Sequence, residues 1–296
     1  MADERIETGL QRPMPSAASS PLDMPRWQMI AAYVLMLAGI IVIGLPVYWM
    51  IAAAFKTMPE IYSVPVTWIP RQPVLSNFVR AWHAAPFGRY YINTIITTFF
   101  GSGAELFFAI TSAYAFAFLR FPKKNAVFVL LLAALMVPNQ VTLLPNYLTV
   151  ARLGWINTYQ GIIVPGAAVA YGTFMLRQYF QTLPRDLLDA AKVDGAGHLR
   201  TLWHVVLPLA QPAVITFGLI SVVAKWNDFA WPLVVTNTQD MRVLSIGIYW
   251  LLDQEGNTQW GTVMAGTIFV VLPVLLIFLW AQRYIVEGMT AGAVKG

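Results

Sequence analysis

The sequence contains no cysteine and only three histidines among its 296 residues. Without thiols the chain can form no disulfide bond, no thiolate nucleophile and no cysteine-ligated metal site. His198 and His204 are too far apart, and too poor in neighbouring carboxylates, to predict a metal site. The Gly-x-Ser-x-Gly, His-Glu-x-x-His and P-loop patterns are also missing from the sequence. We therefore expect a chain that is not an enzyme and that cannot itself hydrolyse ATP in the usual way.

Charged residues are scarce as well. They make up 11% of the chain, against about a quarter in soluble domains, while hydrophobic residues make up 58%. This composition predicts a protein embedded in membrane lipid. The net charge is +5, but the basic residues are dispersed along the chain, so we expect no contact with nucleic acid.

Long apolar runs dominate the rest of the sequence. A transmembrane helix needs about 20 predominantly apolar residues, and six runs predict an all-α integral membrane fold with about six spans. A cleaved signal peptide is the alternative for the first run, but its apolar core would be only about 7–15 residues long. The six predicted spans lie approximately at residues 27–55, 92–119, 126–148, 159–180, 212–235 and 260–285.

The spans define a transmembrane domain at residues 27–285 between two predicted tails. Residues 1–26 are rich in Pro, Ser and charge, which predicts a disordered cytoplasmic tail. Residues 286–296 form the second tail. About twelve basic residues fall on the side of the spans that holds both tails and the loop at residues 184–208, and about six fall on the other side. The side richer in Lys and Arg is expected to face the cytoplasm.

Three prolines lie inside predicted spans, at Pro138, Pro145 and Pro165. Proline breaks helices in soluble proteins, but a membrane bundle tolerates it where neighbours satisfy the freed carbonyl groups. The sequence leaves open whether these prolines only kink the helices or shape a cavity or hinge.

The most informative segment is the polar loop at residues 184–208, between the fourth and fifth spans. Pro184 suits the first turn of a helix, and Gly195 suits its C-terminal end. Asp189 and Lys192 lie three residues apart on one helix face, where they can pair. Glycine also permits a sharp bend into a second short helix. On physical grounds alone, the segment is an amphipathic surface loop.

The same loop resembles the EAA loop of ABC-importer permeases, by which a membrane subunit docks on its ATPase. The EAA pattern consists of Glu-Ala-Ala, three residues, Gly, nine residues, an aliphatic residue, one residue and Leu-Pro. This chain departs from the pattern only in having Asp in place of the first Glu. The matching residues are Asp189, Ala190, Ala191, Gly195, Val205, Leu207 and Pro208. The resemblance implies that these residues, with the adjacent Asp194, couple the chain to a partner ATPase.

Further similarities extend over most of the chain, and the ending at residues 288–296 is the most specific of them after the loop. Together they are typical of the maltose-type permeases for carbohydrate uptake, which implies the type I ABC importer permease fold. Other matching segments are Ala113-Tyr114-Ala115-Phe116-Ala117, Arg120-Phe121-Pro122 and Trp226-Asn227-Asp228-Phe229.

The resemblance also implies partners and a location. The partners are a second homologous permease subunit, an ABC ATPase dimer and an extracytoplasmic solute-binding protein. The location is the bacterial cytoplasmic (inner) membrane, with both termini in the cytoplasm. No cofactor is expected in this chain, because ATP and Mg²⁺ would bind to the partner ATPase.

Polar groups within spans are costly and are candidates for a substrate path. Trp226, Asn227 and Asp228 cluster in the outer part of the fifth predicted span, where the ring can stack on a sugar and the polar groups can bind hydroxyls. Lys225 and Asp228 lie three residues apart, so a purely structural ion pair between them is the alternative. Weaker path candidates are Asn139 and Tyr147 in the third span, and Glu105 is a further ionisable residue, in the second.

These expectations describe the permease subunit of an ATP-driven ABC importer that translocates a sugar or oligosaccharide delivered by a solute-binding protein. The first alternative is a permease of the same type for a glycerol-phosphate-type solute. Phosphate would favour additional arginines facing the path, and the predicted spans do not show them. The second alternative is a secondary transporter or channel that acts alone.

Overall fold

The computed structural model describes residues 25–168, 170–252 and 258–293, with side chains described as far as residue 282. Every regular element within these residues is helical, as the sequence predicts. The chain divides into two units, Met1–Met50 and Ile51–Gly296. The predicted tail at residues 1–26 lies almost entirely outside the described residues.

The described part of the first unit is a single helix, α1, which spans Arg26–Ala54 and continues into the second unit. At about 1.5 Å per residue it is long enough to cross a hydrocarbon layer of about 30 Å. Its side chains are apolar on all faces, and Leu35, Ile41 and Ile43 are exposed. This pattern is typical of a helix surrounded by lipid, and its bounds agree with the first predicted span.

A polar segment with two short helices follows, α2 (Met58–Ile61) and α3 (Ser76–Ala84). Asn77 on α3 is buried, and its Nδ2 donates hydrogen bonds of 2.8 Å to the carbonyl oxygens of both Ala54 and Lys56. The last carbonyl groups of a helix have no donor within that helix. Asn77 therefore satisfies the end of α1 and ties it to α3.

The central helix of the second unit is α4, which spans Phe87–Phe118. It begins a turn or more before the predicted residue 92 and ends near the predicted residue 119. Its buried face is polar in places, and Asn93 there accepts a hydrogen bond of 2.7 Å from the hydroxyl of Tyr159. The Nδ2 of Asn93 donates to the carbonyl oxygens of Asp240 and Arg242. Such partners are needed because lipid offers none to a buried polar group.

The third predicted span is broken rather than continuous. Helix α5 (Lys124–Leu135) meets α6 (Asn139–Arg152) at an angle of 98°. Pro138 occupies the N-cap of α6, and a proline at this point ends α5 because it restricts the preceding residue and has no N–H group. The expectation of one helix over residues 126–148 is therefore wrong. Pro145, in contrast, lies inside α6.

The fourth predicted span also consists of short pieces. These are α7 (Tyr159–Ile163), a 3₁₀ turn (Val164–Gly166) and α8 (Ala170–Phe180). Pro165 lies in the turn, where its fixed backbone angle is easily accommodated. The outer bounds agree with the prediction of residues 159–180.

A loop of short elements joins α8 to the long helix α12 (Gln211–Trp226). Its segment His198–Leu209 meets α12 at 85°. The two short helices predicted in this loop are both present. The elements are α9 (Arg185–Val193), α10 (His198–Thr201), a π-helical turn (Leu202–Val206) and α11 (Leu207–Leu209).

Helix α12 ends well before the predicted residue 235, and a separate helix, α13 (Ala230–Val235), follows. Pro232 has no N–H group, so a continuous helix would leave the carbonyl oxygen of Asp228 without its donor. In the structure that oxygen accepts a hydrogen bond of 2.7 Å from the hydroxyl of Ser245. The break is thus stabilised by a side chain from a later segment.

The described residues end with three further elements. These are a 3₁₀ turn (Gln239–Met241), α14 (Leu244–Tyr249) and α15 (Trp260–Ala293). Among the described residues α1, α4 and α15 are unbroken apolar helices of membrane length, and the three bent pairs bring the possible spans to six. When each bent pair is counted as one span, the expected number of about six spans is confirmed.

Helices α4, α8 and α12 approach one another very closely at Gly172 on α8. A Cβ atom at this position would lie 2.2 Å from Cζ of Phe217 on α12 and 2.8 Å from Cβ of Ala109 on α4. Only glycine leaves room for this contact, as is common where membrane helices pack backbone to backbone. A buried apolar cluster surrounds the contact and includes Ile110, Ala113, Leu176, Phe180 and Ala213.

Candidate functional site: a docking loop and a cavity

The polar loop at residues 184–208, here called the docking loop, is organised around α9. Pro184 precedes the helix, Asp186 lies in its first turn and Lys192 in its last. Both charges complement the helix dipole. Gly195 follows with a φ of 75°, the left-handed conformation in which glycine ends helices at little cost. The helix therefore ends where the sequence predicts.

An exposed ion pair lies on α9. The Nζ atom of Lys192 is 2.8 Å from Oδ1 of Asp189, and the two side chains are 67% and 66% exposed. The hydrogen bond from Lys192 lowers the pKa of Asp189 below its ordinary value. This is the pairing that the spacing of the two residues predicts.

One side of the docking loop packs on the helices beneath it. Leu188, Leu202 and Val206 are buried in the apolar cluster that also contains side chains of α4 and α8. Of the two alanines in the EAA pattern, Ala191 is buried and Ala190 is exposed. The loop is therefore a rigid attachment of the bundle, and only part of the pattern is open to a partner.

The other side of the loop, here called the outer face, exposes apolar side chains beside the charged ones. Val193, Leu199 and Trp203 are exposed by 89%, 72% and 57%. Exposed apolar groups that cluster on a polar surface mark interaction sites. Sequence analysis missed Val193 and Leu199, because the amphipathic pattern alone does not separate them from the buried apolar residues of the loop. Asp194, Gly195 and Pro208 are also exposed, and Leu207 is half-buried.

A cavity of about 940 Å³ lies among α6, the turn between α7 and α8, and the junction of α12 with α13. Its lining is rich in neutral hydrogen-bonding groups, and aromatic rings border it. Pockets of this kind combine apolar walls with a few convergent polar groups. The neutral polar and aromatic residues of the lining are Thr97, Asn139, Gln140, Thr142, Asn146, Tyr171 and Trp231.

Two ionisable residues line the described part of the cavity, Lys225 and Asp228. The Nζ atom of Lys225 donates a hydrogen bond of 2.8 Å to the carbonyl oxygen of Gly166 and lies 3.6 Å from Oε2 of Glu105. The sequence spacing suggested Asp228 as the ion-pair partner of Lys225. In the structure the partner is instead Glu105 on α4. Asp228 lies just past the C-terminal end of α12 at Trp226, and Lys225 reaches across to α4 instead.

Asp228 instead lies two residues before the next helix, α13. Its carboxylate lies near the backbone N–H of Trp231 in the first turn of α13. The Nε1 atom of Trp231 donates a hydrogen bond of 3.1 Å to the carbonyl oxygen of Gly161 on α7. This bond fixes the indole of Trp231 at the edge of the cavity, which the side chain of Asp228 also lines.

The predicted path residues do not all lie together. Asn139 and Asp228 line the cavity. Trp226 is buried among apolar residues, and its Nε1 donates a hydrogen bond of 3.0 Å to the carbonyl oxygen of Val270 on α15. Asn227 is exposed and bonds back to its own helix, and Tyr147 packs on a separate apolar cluster. Trp226 therefore joins α12 to α15 and does not line this cavity.

The predicted C-terminal tail at residues 286–296 is described only as backbone, and its first part continues α15 as far as Ala293. Within the part of the chain that the structure describes, no three His, Asp or Glu side chains converge as metal ligands would. The features that could act on a partner or solute are thus the docking loop and the cavity.

Comparison with known proteins identifies the protein family of this chain. The family model described as "Binding-protein-dependent transport system inner membrane component" matches residues 105–291. The chain is 34% identical over 267 residues to the sn-glycerol-3-phosphate transport system permease protein UgpE of Yersinia enterocolitica serotype O:8 / biotype 1B, covering 88% of this chain and 95% of that protein. It is 32% identical over 270 residues to the protein of the same name from Escherichia coli O6:K15:H31, covering 89% and 96%.

Solved structures show the same fold. A bacterial ABC transporter involved in the import of the acidic polysaccharide alginate matches with a TM-score of 0.79 and 23% identity, over 91% of this chain and 99% of that chain. A bacterial alginate ABC transporter in complex with alginate pentasaccharide-bound periplasmic protein matches with a TM-score of 0.65 and 16% identity, over 87% and 93%. The chain belongs to the family of binding-protein-dependent transport system inner membrane components, and it is the multi-pass permease subunit of an ABC importer.

Proposed function

We propose that this permease carries an uncharged carbohydrate, which passes the cavity bordered by Asn139, Gln140 and Trp231. The observation that carries the proposal is the lining itself. Neutral amides and hydroxyls can bind the many hydroxyl groups of a saccharide, and aromatic rings can cover its apolar faces. The cation in the lining, Lys225, is already paired with Glu105. A carboxylate, Asp228, lines the same cavity and would repel an anion.

The docking loop is proposed to bind the partner ATPase through its outer face. Exposed apolar residues stand there beside the charges of Asp189 and Asp194, which suits a specific protein contact. ATP and Mg²⁺ would bind to that ATPase, and a second homologous permease would form the other half of the path. A solute-binding protein would deliver the carbohydrate from outside. Movement then follows from the different affinity of the ATPase for ATP in two states.

Orientation is part of the same proposal. The distribution of Lys and Arg supports a cytoplasmic location for both termini and the docking loop. Single cysteines can be introduced at Ser76 and Gly197, since the chain has none of its own. An impermeant thiol reagent added to intact cells should label only the cysteine at position 76. Labelling at both positions would contradict this orientation.

A second candidate is sn-glycerol-3-phosphate, because the two relatives described above carry that solute in their names. A phosphate monoester carries between one and two negative charges near neutral pH. The cavity offers it one cation that is already neutralised, together with a carboxylate. The geometry therefore favours the carbohydrate.

The test uses the assembled importer, purified through a tag on this chain and reconstituted with its binding protein. Neutral oligosaccharides should stimulate ATP hydrolysis and enter the vesicles, whereas sn-glycerol-3-phosphate should do neither. Uptake of sn-glycerol-3-phosphate without uptake of any neutral saccharide would refute the proposal.

A matched pair of variants ties uptake to the cavity. Asn139→Leu removes an amide from the lining, while Asn227→Leu makes the same change at an exposed position outside it. Losing one hydrogen bond of about 1 kcal/mol should lower saccharide uptake about fivefold for Asn139→Leu. Asn227→Leu should leave uptake within twofold of wild type. Equal losses in both variants would mean that this cavity is not the path.

A further inference from the structure

Glu105 is a carboxylate placed inside the central helix of a membrane protein, behind the cavity wall. Its side chain is only 8% exposed, and its Oε2 accepts a hydrogen bond of 2.8 Å from the hydroxyl of Ser221 on α12. Ionisable groups inside spans are rare and costly. A well-packed apolar residue in place of a buried ion pair is often as stable or more so. Stability alone therefore does not account for a carboxylate at this position.

The partner of Glu105, Lys225, lies against two glycines. A Cβ atom at Gly166 would lie 2.6 Å from Nζ of Lys225, so a side chain at position 166 would displace the ammonium group from its present place. The stem of Lys225 passes Gly101, where a Cβ atom would lie 3.6 Å from its Cδ. Both glycines border the cavity. The hydrogen bond from Nζ to the carbonyl oxygen of Gly166 holds the ammonium group at the cavity surface.

The two members of this pair differ in what a solute can reach. The side chain of Lys225 is 22% exposed and lines the cavity, whereas Glu105 does not line it. A solute in the cavity would meet the ammonium group directly, while the compensating charge stays within the wall. If position 105 were neutral, the same ammonium would be an anion-binding group.

We propose that Glu105 is a specificity-determining residue that cancels the charge of Lys225 and so makes the cavity favour uncharged solutes over anions. Glu105 acts through Lys225 and does not touch the solute. The proposal rests on the cavity being the solute path, as set out under the proposed function. It adds to that function a charge filter built from one buried residue.

The central experiment measures anion binding to the purified importer with Glu105→Gln, which keeps the shape of the side chain and can still accept the bond from Ser221. The probe is sodium glucuronate, compared with glucose in sodium chloride of equal ionic strength. Opposite charges a few Å apart attract strongly where the effective dielectric constant is well below that of water. Glucuronate should therefore bind Glu105→Gln at least tenfold more tightly than wild type, measured by the shift of the thermal midpoint with concentration. Glucose binding should change less than twofold.

Two control variants separate charge from structure. Ser221→Ala removes the hydrogen bond to Oε2 of Glu105 without changing any charge, so it should not alter the preference between glucuronate and glucose. The double variant Glu105→Gln with Lys225→Met has no charge left in the pair and should lose the new affinity for glucuronate. A purely structural role for Glu105 would affect Ser221→Ala and Glu105→Gln alike.

The outcomes are distinct from those of the proposed function. Equal glucuronate affinity in wild type and Glu105→Gln, or no binding of glucuronate to either, would overturn the charge filter. Failure of the wild-type importer to take up any neutral saccharide would instead count against the proposed function. The anion titration does not depend on the binding protein, so the two results can be told apart.

Discussion

Two ion pairs in this chain differ in a way that their distances do not reveal. The pair of Asp189 and Lys192 on the docking loop is the shorter, at 2.8 Å, yet about two thirds of each side chain is exposed. The pair of Glu105 and Lys225 is longer, at 3.6 Å, but 8% and 22% of the side chains are exposed. Water and salt screen the first pair, whereas the second lies where few other groups can replace a lost partner.

The comparison shows that burial, rather than distance, decides what an ion pair does. An exposed pair adds little to stability, because the side chains lose entropy and water competes for both charges. A buried pair can be nearly neutral as a whole and still be costly to break, because removing one partner leaves a charge without compensation. The docking-loop pair is thus free to change when a partner binds, and the cavity pair is not.

The largest effect is expected from breaking the cavity pair on its cationic side. Lys225→Met leaves the buried carboxylate of Glu105 without its partner, which should cost about 3–5 kcal/mol of stability. Little assembled importer should then be recovered from membranes, and its thermal midpoint should fall. Adding Glu105→Gln to Lys225→Met should restore most of the assembly. If Lys225→Met assembled normally, burial would not distinguish the two pairs.

An intermediate effect is expected at the end of α9, close to the exposed pair. Gly195→Ser forces a side chain into the left-handed conformation, at a cost of about 1–2 kcal/mol. This should disturb the outer face and reduce the amount of ATPase that copurifies. The matched control is Gly197→Ser, two residues away in an extended conformation at the N-cap of α10, where serine is favoured. Equal ATPase recovery in both variants would argue against a role for this turn in docking.

The smallest effect is expected from the exposed pair itself. Lys192→Ala should leave the thermal midpoint of the importer unchanged within error. The pKa of Asp189 is lowered by Lys192, so the contribution of the pair is present above the ordinary pKa of an aspartate and is lost only as the pH falls through the lowered value. Wild type should therefore show no pH-dependent change from this pair between about pH 6 and 8. A clear loss of stability in Lys192→Ala would contradict the ranking of the two ion pairs by their contribution to stability.

Local features of the fold could be predicted from the sequence. The bounds of α1 and the stop at Gly195 follow from apolar length and from glycine chemistry, which depend on neighbouring residues only. The break at Pro138 follows from equally local chemistry, because proline has no N–H group and restricts the residue before it. Long-range contacts were not predictable. Glu105 and Lys225 are far apart in sequence, and a single sequence contains no sign of which residues meet across helices.

The candidate site shows the same division. The positions of the docking loop could be identified because the EAA pattern fixes residue types at set spacings. The sequence predicts Trp226 on the path because its ring can stack on a sugar and it lies beside Asn227 and Asp228. Its neighbour Lys225 lines the cavity, but Trp226 faces α15. Which side of a helix faces a cavity is decided by packing, and an apolar helix of weak periodicity does not reveal it.

The close contact at Gly172 determines how force can pass through the second unit. The docking loop begins at the end of α8 and leads into α12, and these two helices meet α4 where Phe217 and Ala109 leave no space for a methyl group. A close-packed interior of this kind has low compressibility and transmits strain. A force on the docking loop therefore acts through both ends of the loop on one stiff block, which α4, α8 and α12 form. These three helices must turn together.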